Sequence, residues 1–275
     1  QWLDKQLQRQ LPGHHFMLTF TVPQQLRPFL RSNQRLGYAA FFAASSEAIK
    51  KIAADPRFTA GDTPGFFGVL HTWGRQLTYH PHIHYIVPGG AYSTKDGYWH
   101  PSRPDFFVPV KALSPLFKAR FKEEMKKAGL YASIPSEVWE TPFNVNSQAV
   151  GGNENALRYL APYVFKVAIS DSRIVRVENH SVSFRYKKPG SERWRTMTLS
   201  AMEFIRRFLQ HVLPSGFMKV RYYGFMHASS RVCLRDIILA VELASGFSRA
   251  VSRIPPEPPV YPVCPSCGGK LMYLY

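Results

Sequence analysis

His82 and His84 stand one residue apart in the run Tyr79-His80-Pro81-His82-Ile83-His84-Tyr85-Ile86-Val87. In a strand, alternate side chains share a face, so both imidazoles would point to one side, their Cα atoms roughly 7 Å apart. At that separation they can converge on one metal ion while Ile83, Tyr85 and Val87 pack the opposite way. A metal held by two or three protein ligands keeps open positions for substrate oxygens. A His-x-His pair by itself equally describes a His-rich surface strand. A second constellation changes the balance: Tyr159-Leu160-Ala161-Pro162-Tyr163 sets two phenols four residues apart, on one face of a helix. Pro162 would kink that helix between the tyrosines unless it starts late. Lys166, three residues beyond Tyr163, falls on nearly the same face and could hold a phosphate.

Together these residue types describe cleavage of a phosphodiester by tyrosine. A phenol with a pKa of about 10 is a weak nucleophile at neutral pH. A divalent ion at His82 and His84 would polarise the scissile phosphate and stabilise the charge that develops on it. Imidazoles combined with phosphate oxygens suit Mg²⁺ or Mn²⁺ in function, although affinity alone would favour later transition metals. The product, a covalent phosphotyrosine, conserves the bond energy for rejoining. Two tyrosines permit two such transfers in succession, as strand exchange needs and simple hydrolysis does not.

Charge points to the substrate class. The 275 residues carry 35 Lys plus Arg against 18 acidic residues, a formal net charge of +17. Excess charge of this size opposes compaction and is usually kept because a polyanion binds it. The basic residues are dispersed rather than gathered on an amphipathic surface helix, which favours nucleic acid over an anionic membrane. No apolar run has membrane-spanning length. Three cysteines, Cys233 alone and Cys264 with Cys267 in a Cys-x-x-Cys tail, make no disulfide framework and fit a reducing cytoplasm. The tail resembles half a zinc knuckle, so Cys264 and Cys267 either bind a structural zinc with further ligands or remain free thiols.

The elements that must position these groups read as an α+β chain. His15 to Val22 alternates as a first strand, with Phe16, Leu18, Phe20 and Val22 on one face. Gln24 to about Ala54 reads as helical, Phe66 to Trp73 as a second strand and His80 to Val87 as a third. Lys95-Asp96-Gly97 is a hairpin turn. Leu113 to Ala128 is an amphipathic helix, Phe143 to Val150 another strand, and Asn153 to Lys166 the tyrosine helix. Strand-like runs follow at Arg173–Val177, Val182–Tyr186 and Arg193–Leu199. Ala201 to Leu213 is then a helix expected to turn Met202, Ile205, Phe208, Leu209 and Val212 inward and Arg206 and Arg207 outward. A further helix begins near Arg235, and 254–262 is a Pro-rich linker. Lys219-Val220-Arg221-Tyr222-Tyr223 interleaves basic and aromatic residues, equally a single-strand groove and a strand with core aromatics. His14, His15, His100, His180, His211 and His227 read as ordinary surface or turn histidines.

The two motifs in this order, with the flanking text RYLAPYVFKVAISDSRI and the long stretch from Trp194 to Met226, resemble the two-tyrosine transposases of the insertion-sequence-91 family. Those belong to the His-hydrophobic-His (HUH) single-strand endonucleases, and the similarity runs from about Phe16 to about Met226. The resemblance implies an HUH-like core with a mostly antiparallel central sheet flanked by helices, followed by a β-rich and helical C-terminal portion. It implies rolling-circle transposition: one DNA strand nicked, a 5′-phosphotyrosine link, and transfer to a target. Single-stranded DNA or transposon ends would be the partners, Tyr159 and Tyr163 the nucleophiles, His82 and His84 metal ligands. That superfamily usually draws its third ligand from outside the His-x-His pair, which favours His71, with His80 or Asn155 as alternatives. Lys219, Arg221, Tyr222, Tyr223, Arg206 and Arg207 are the candidate DNA contacts.

The expected organisation is a remnant of an upstream segment at 1–15, where a Cys-rich zinc-binding part common in the family would lie further upstream. A catalytic core follows at 16–170, a C-terminal β/α portion packed on it at 171–253, and a linker with the Cys-x-x-Cys tail at 254–275. The same chemistry could serve a plasmid replication initiator or a relaxase. A non-catalytic DNA-binding relative would keep the charge and lose the chemistry. A zinc hydrolase of small substrates would explain the histidines and leave the charge and paired tyrosines unexplained.

Overall fold

The computed structural model describes residues 11–152, 168–188 and 190–246, together with Gln6, Arg9, Leu157, Leu160, Ala161 and Val164. Its centre is a five-stranded antiparallel sheet built from β1 (His15–Thr21), β2 (Phe66–Trp73), β3 (Tyr79–Pro88), β6 (Asn144–Gly151) and β10 (Val220–Tyr223). The spatial order is β10-β2-β3-β1-β6, which sets β2 and β1 on either side of β3. The α+β class expected from the sequence is what the chain adopts. The sheet takes its edge strand β10 from the 171–253 stretch.

Period-2 alternation decides what each sheet face carries. Phe16, Leu18, Phe20, Phe66, Leu70, Ile83, Tyr85 and Val87 join one buried cluster. The helices over that face are α1 (Leu26–Ser32), α2 (Gln34–Ala53) and α3 (Val110–Lys127). Leu113, Phe117, Phe121 and Met125 of α3 are all buried there, at the intervals of four residues that the sequence shows. Gly68 makes this packing possible, since a Cβ at that position would run into the ring of Tyr85. The helical stretch from Gln24 to Ala54 divides in two: Asn33 leaves the helical region at φ −125°, ψ 44°, its Nδ2 donating to the Phe29 carbonyl at 3.0 Å.

The opposite face is split along its length. Towards one end, Phe67, Val69 and Ile86 pack with Leu157 and Leu160 and with Ile237, Ala240 and Val241 of α5 (Leu234–Ser245). Leu157, Leu160, Ala161 and Val164 are helical, and Val164 packs against the same cluster. Towards the other end lies a second sheet, β7 (Ile174–Glu178), β8 (Ser181–Lys187) and β9 (Trp194–Ser200), followed by α4 (Ala201–Leu209). A short hairpin, β4 (Gly90–Tyr92) with β5 (Trp99–Pro101), contains the expected turn, where Gly97 has φ +79°.

The α4 region corrects two expectations. Ser200 caps it by accepting from the Glu203 N–H at 3.3 Å, but the helix stops at Leu209 rather than Leu213. Met202, Ile205, Leu209 and Val212, expected inward, are exposed. Phe208, also expected inward, does dock, and Phe204 joins it, against a small cluster of Leu77, Ala168 and Phe184. The helix is apolar over a broad arc, and the aromatic pair fits the hollow that the second sheet leaves. His15 and His211 are also buried rather than exposed. His211 lies within hydrogen-bond distance of Thr72 Oγ1 and the Leu77 carbonyl, both at 3.2 Å, and so ties the end of α4 to the β2–β3 hairpin.

Candidate metal centre and cleft

His82 and His84 lie on β3 with their side chains on the face away from α1–α3, the side shared with Val69 and Ile86. Antiparallel pairing of β2 with β3 sets His71 directly opposite His82 and Val69 opposite His84. Cross-strand neighbours on one face are close enough for their side chains to meet. One nitrogen from each of His71, His82 and His84 lies within 4.8 Å of the other two, an arrangement that could hold a metal ion. Ring centroids are 5.2 Å apart for His71 and His82, 4.7 Å for His71 and His84, and 4.8 Å for His82 and His84.

The surroundings orient these rings. His82 Nδ1 donates to the His80 carbonyl at 2.7 Å, which leaves Nε2 as the lone-pair nitrogen. His84 Nδ1 lies 2.9 Å from Thr19 Oγ1 on β1, the opposite residue in the β1–β3 register. Hydrogen bonds of this kind fix ring orientation in metal sites. Trp73 stacks on His71 with centroids 5.4 Å apart. Burial pushes His82 down to about 4 and His84 down to about 3, while His71 lies well below the ordinary imidazole range through burial and its two neighbours. All three are therefore neutral near pH 7, the form that binds metal. The donor set fits a divalent ion with positions left for oxygen ligands.

The three histidines form the floor of a cleft of about 640 Å³. Thr19, Thr21 and Trp73 line it from the central sheet, and Arg75, Arg173, Lys187 and Lys188 bring positive charge to its rim. Arg75 donates to the Lys188 carbonyl at 2.9 Å, and Arg173 donates to the carbonyls of Arg185 at 2.8 Å and Arg75 at 3.0 Å. These bonds lock the second sheet onto the β2–β3 hairpin. Sequence reading passed over these rim residues, treating Lys187-Lys188 only as a turn; a basic pair within that turn was the available signal.

The remaining site candidates are distributed as follows. His80 lines the cleft with its ring 5.2 Å from that of His82, outside the group of three. Asn155, Tyr159, Tyr163, Lys166, Cys264 and Cys267 lie outside the described residues. Arg221 sits over the rings of Phe42 at 4.5 Å and Phe217 at 5.2 Å, and Tyr223 stacks on Phe66. Tyr222 packs by Phe67, and Lys219 is half-buried. Arg206 and Arg207 both pair with Glu203, at 2.6 and 2.7 Å. None of these six lines the cleft.

Fold and site together define an α+β protein whose central sheet carries a three-histidine candidate metal centre beneath a basic rim. A family described as "Putative transposase" matches residues 65–233, the span from β2 to the start of α5. The chain belongs to this transposase family, which bears out the resemblance to the two-tyrosine transposases read from the sequence. It is 38% identical over 253 residues to "Putative transposase y4qJ" of Sinorhizobium fredii, an alignment covering 82% of this chain and 62% of that protein. It is 27% identical over 308 residues to "Transposase for insertion sequence element IS801" of Pseudomonas savastanoi pv. phaseolicola, covering 99% of this chain and 70% of that one. The chain thus spans roughly three-fifths of the length of the first relative. No solved structure matches. Among the described residues, no helix is long and apolar enough to cross a membrane.

Proposed function

We propose that this chain nicks single-stranded DNA and transfers the strand through a 5′-phosphotyrosine intermediate, in rolling-circle transposition within the cytoplasm. The observation that carries this reading is the convergence of His71, His82 and His84 on the floor of a basic cleft. Membership of the transposase family supplies the context. Support for the tyrosines comes from their neighbours: Leu157, Leu160 and Val164 pack on the same sheet face that carries the histidines.

The three imidazoles would hold a divalent ion, Mg²⁺ or Mn²⁺, which when bound polarises the scissile phosphate. Arg75, Arg173, Lys187 and Lys188 bind the flanking phosphodiesters and orient the strand over the histidines. The phenol of Tyr159 or Tyr163 gives up its proton, and its oxygen attacks phosphorus. The P–Oη bond forms as the P–O3′ bond breaks, and the freed 3′ oxygen takes up a proton. Lys166 balances charge on the phosphate, and the second tyrosine serves the second transfer. The Cys264–Cys267 pair would take zinc only with ligands from elsewhere.

The test is adduct formation on a denaturing gel with single-stranded DNA carrying transposon-end sequence. Tyr159→Phe and Tyr163→Phe should each leave partial cleavage, and the double variant none. Chelator should abolish the adduct and Mn²⁺ or Mg²⁺ restore it. An adduct in the double variant would place the nucleophile elsewhere. DNA binding with no adduct under any metal would favour a non-catalytic relative. Nicking of a plasmid origin in preference to a transposon end would favour a replication initiator or relaxase.

A further inference from the structure

Trp194, at the start of β9, is 54% exposed. The two faces of its sheet are unlike. Val182, Phe184 and Tyr186 of β8 are buried on one, whereas Arg185, Lys187, Trp194, Thr196 and Thr198 share the other. Lys187 is the direct cross-strand partner of Trp194 and holds its ammonium 5.2 Å from the indole centroid; the Arg185 guanidinium lies at 5.9 Å. An aromatic ring set out in solvent and flanked by cations suits a flat, anionic-backed ligand.

Charge and continuity specify that ligand. Between positions 185 and 195 the chain holds five basic residues, Arg185, Lys187, Lys188, Arg193 and Arg195, against one acid, Glu192. Arg195, the cross-strand partner of Tyr186, lies on the opposite face from Trp194, so the cations on the ring's own face are Arg185 and Lys187. Lys187 and Lys188 belong at once to this hairpin and to the rim of the histidine cleft. The hydrogen bonds from Arg75 and Arg173 hold the hairpin to that rim, so ring and cleft keep a fixed relation.

We infer that the outer face of the β8–β9 hairpin is a single-strand DNA platform, on which an unpaired base stacks against Trp194 while Arg185 and Lys187 beside it hold the phosphates and Lys188 leads them into the cleft. This rests on the reading of the histidine cleft as the place where DNA is cut. Stacking is available only to a base with an open face, so Trp194 discriminates unpaired strand from duplex, while the basic side chains bind both.

The experiment measures binding of the full chain to a fluorescein-labelled 15-nucleotide oligothymidylate and to a 15-base-pair duplex. Trp194→Ala should weaken the single strand about tenfold, the scale of one base–aromatic stack, and leave duplex affinity within about twofold. Trp194→Phe should recover most of the loss. Arg185→Gln with Lys188→Gln should weaken both ligands and flatten the salt dependence. The position is exposed, and an unchanged thermal midpoint certifies each variant as folded. Single-strand binding unchanged in Trp194→Ala, or single strand and duplex weakened equally, would overturn the platform. Metal-dependent nicking that persists alongside either result would leave the cleft reading standing. A selective Trp194 effect in a protein that forms no adduct would fail the cleft reading and keep the platform.

Discussion

Thr19 contributes no ligand atom to the group of three histidines, yet its hydroxyl, 2.9 Å from His84 Nδ1, determines how that ring sits. Thr19→Val keeps the strand shape and removes the hydrogen bond, so metal affinity should fall by about 10- to 100-fold with the fold intact, as read by isothermal titration with Mn²⁺. An unchanged affinity would mean that packing alone orients His84. The same burial makes the metal-free protein acid-sensitive. His15 and His82 are pushed down to about 4 and His84 to about 3, chiefly by burial, while the unfolded chain titrates near 6.5. Below about pH 6.5 the unfolded state binds protons that the native state refuses. This contribution to stability is complete above that pH and is lost as pH falls towards about 4 to 3. Each tenfold loss of proton affinity corresponds to about 1.4 kcal/mol. Melts in chelator should therefore show a steady midpoint from pH 7 to 8 and a steep fall between pH 6.5 and 4. A flat profile across that window would contradict the burial of these rings.

Elements carry the next level of argument. The strand at His80–Val87 and the helix over Leu113–Ala128 are legible from spacing, because each buries one face and its sequence repeats with that face. The face that α4 buries is only partly legible: Phe208 reads inward and is, but Met202, Ile205 and Leu209 form as plausible a stripe beside it as Phe204 does. Only the hollow beside Phe184 and Leu77 selects between them. Substituting Met202 and Leu209 by Gln should then shift stability by no more than about 0.5 kcal/mol each. Phe184→Ala, at a fully buried position, should cost about 3 kcal/mol or more and loosen the hairpin that carries Lys187 and Lys188. Urea denaturation compares them, and equal losses would restore the expectation drawn from periodicity.

For the whole molecule, the formal charge of +17 is the dominant feature. Some of the basic side chains behind it are already engaged: Arg206 and Arg207 pair with Glu203, and Arg221 covers aromatic rings. In the proposed reading, DNA meets the charge concentrated where the second sheet overhangs the histidines. Neutralising about five phosphates there releases counterions, so single-strand affinity should drop roughly a hundredfold between 50 and 200 mM salt. Fluorescence anisotropy across that range provides the measurement. A salt-independent affinity would mean that the rim does not contact the backbone.

The amino-acid sequence by itself determined the α+β character, the strand that carries His82 and His84, the excess of positive charge and the resemblance to a transposase family. Each of these resides in composition or in short-range order, where a period of two or of three to four residues is visible without knowing the fold. Tertiary structure alone decided what stands around the pair. The register of β2 on β3 sets His71 opposite His82, and that of β1 sets Thr19 opposite His84. Arg75 meets Lys188 across 113 positions of chain through the docking of one sheet on the hairpin of another. Pairings between strands and contacts between sheets depend on residues far apart in sequence. No local pattern records them, because the free energy that selects them arises only when the distant surfaces are buried together.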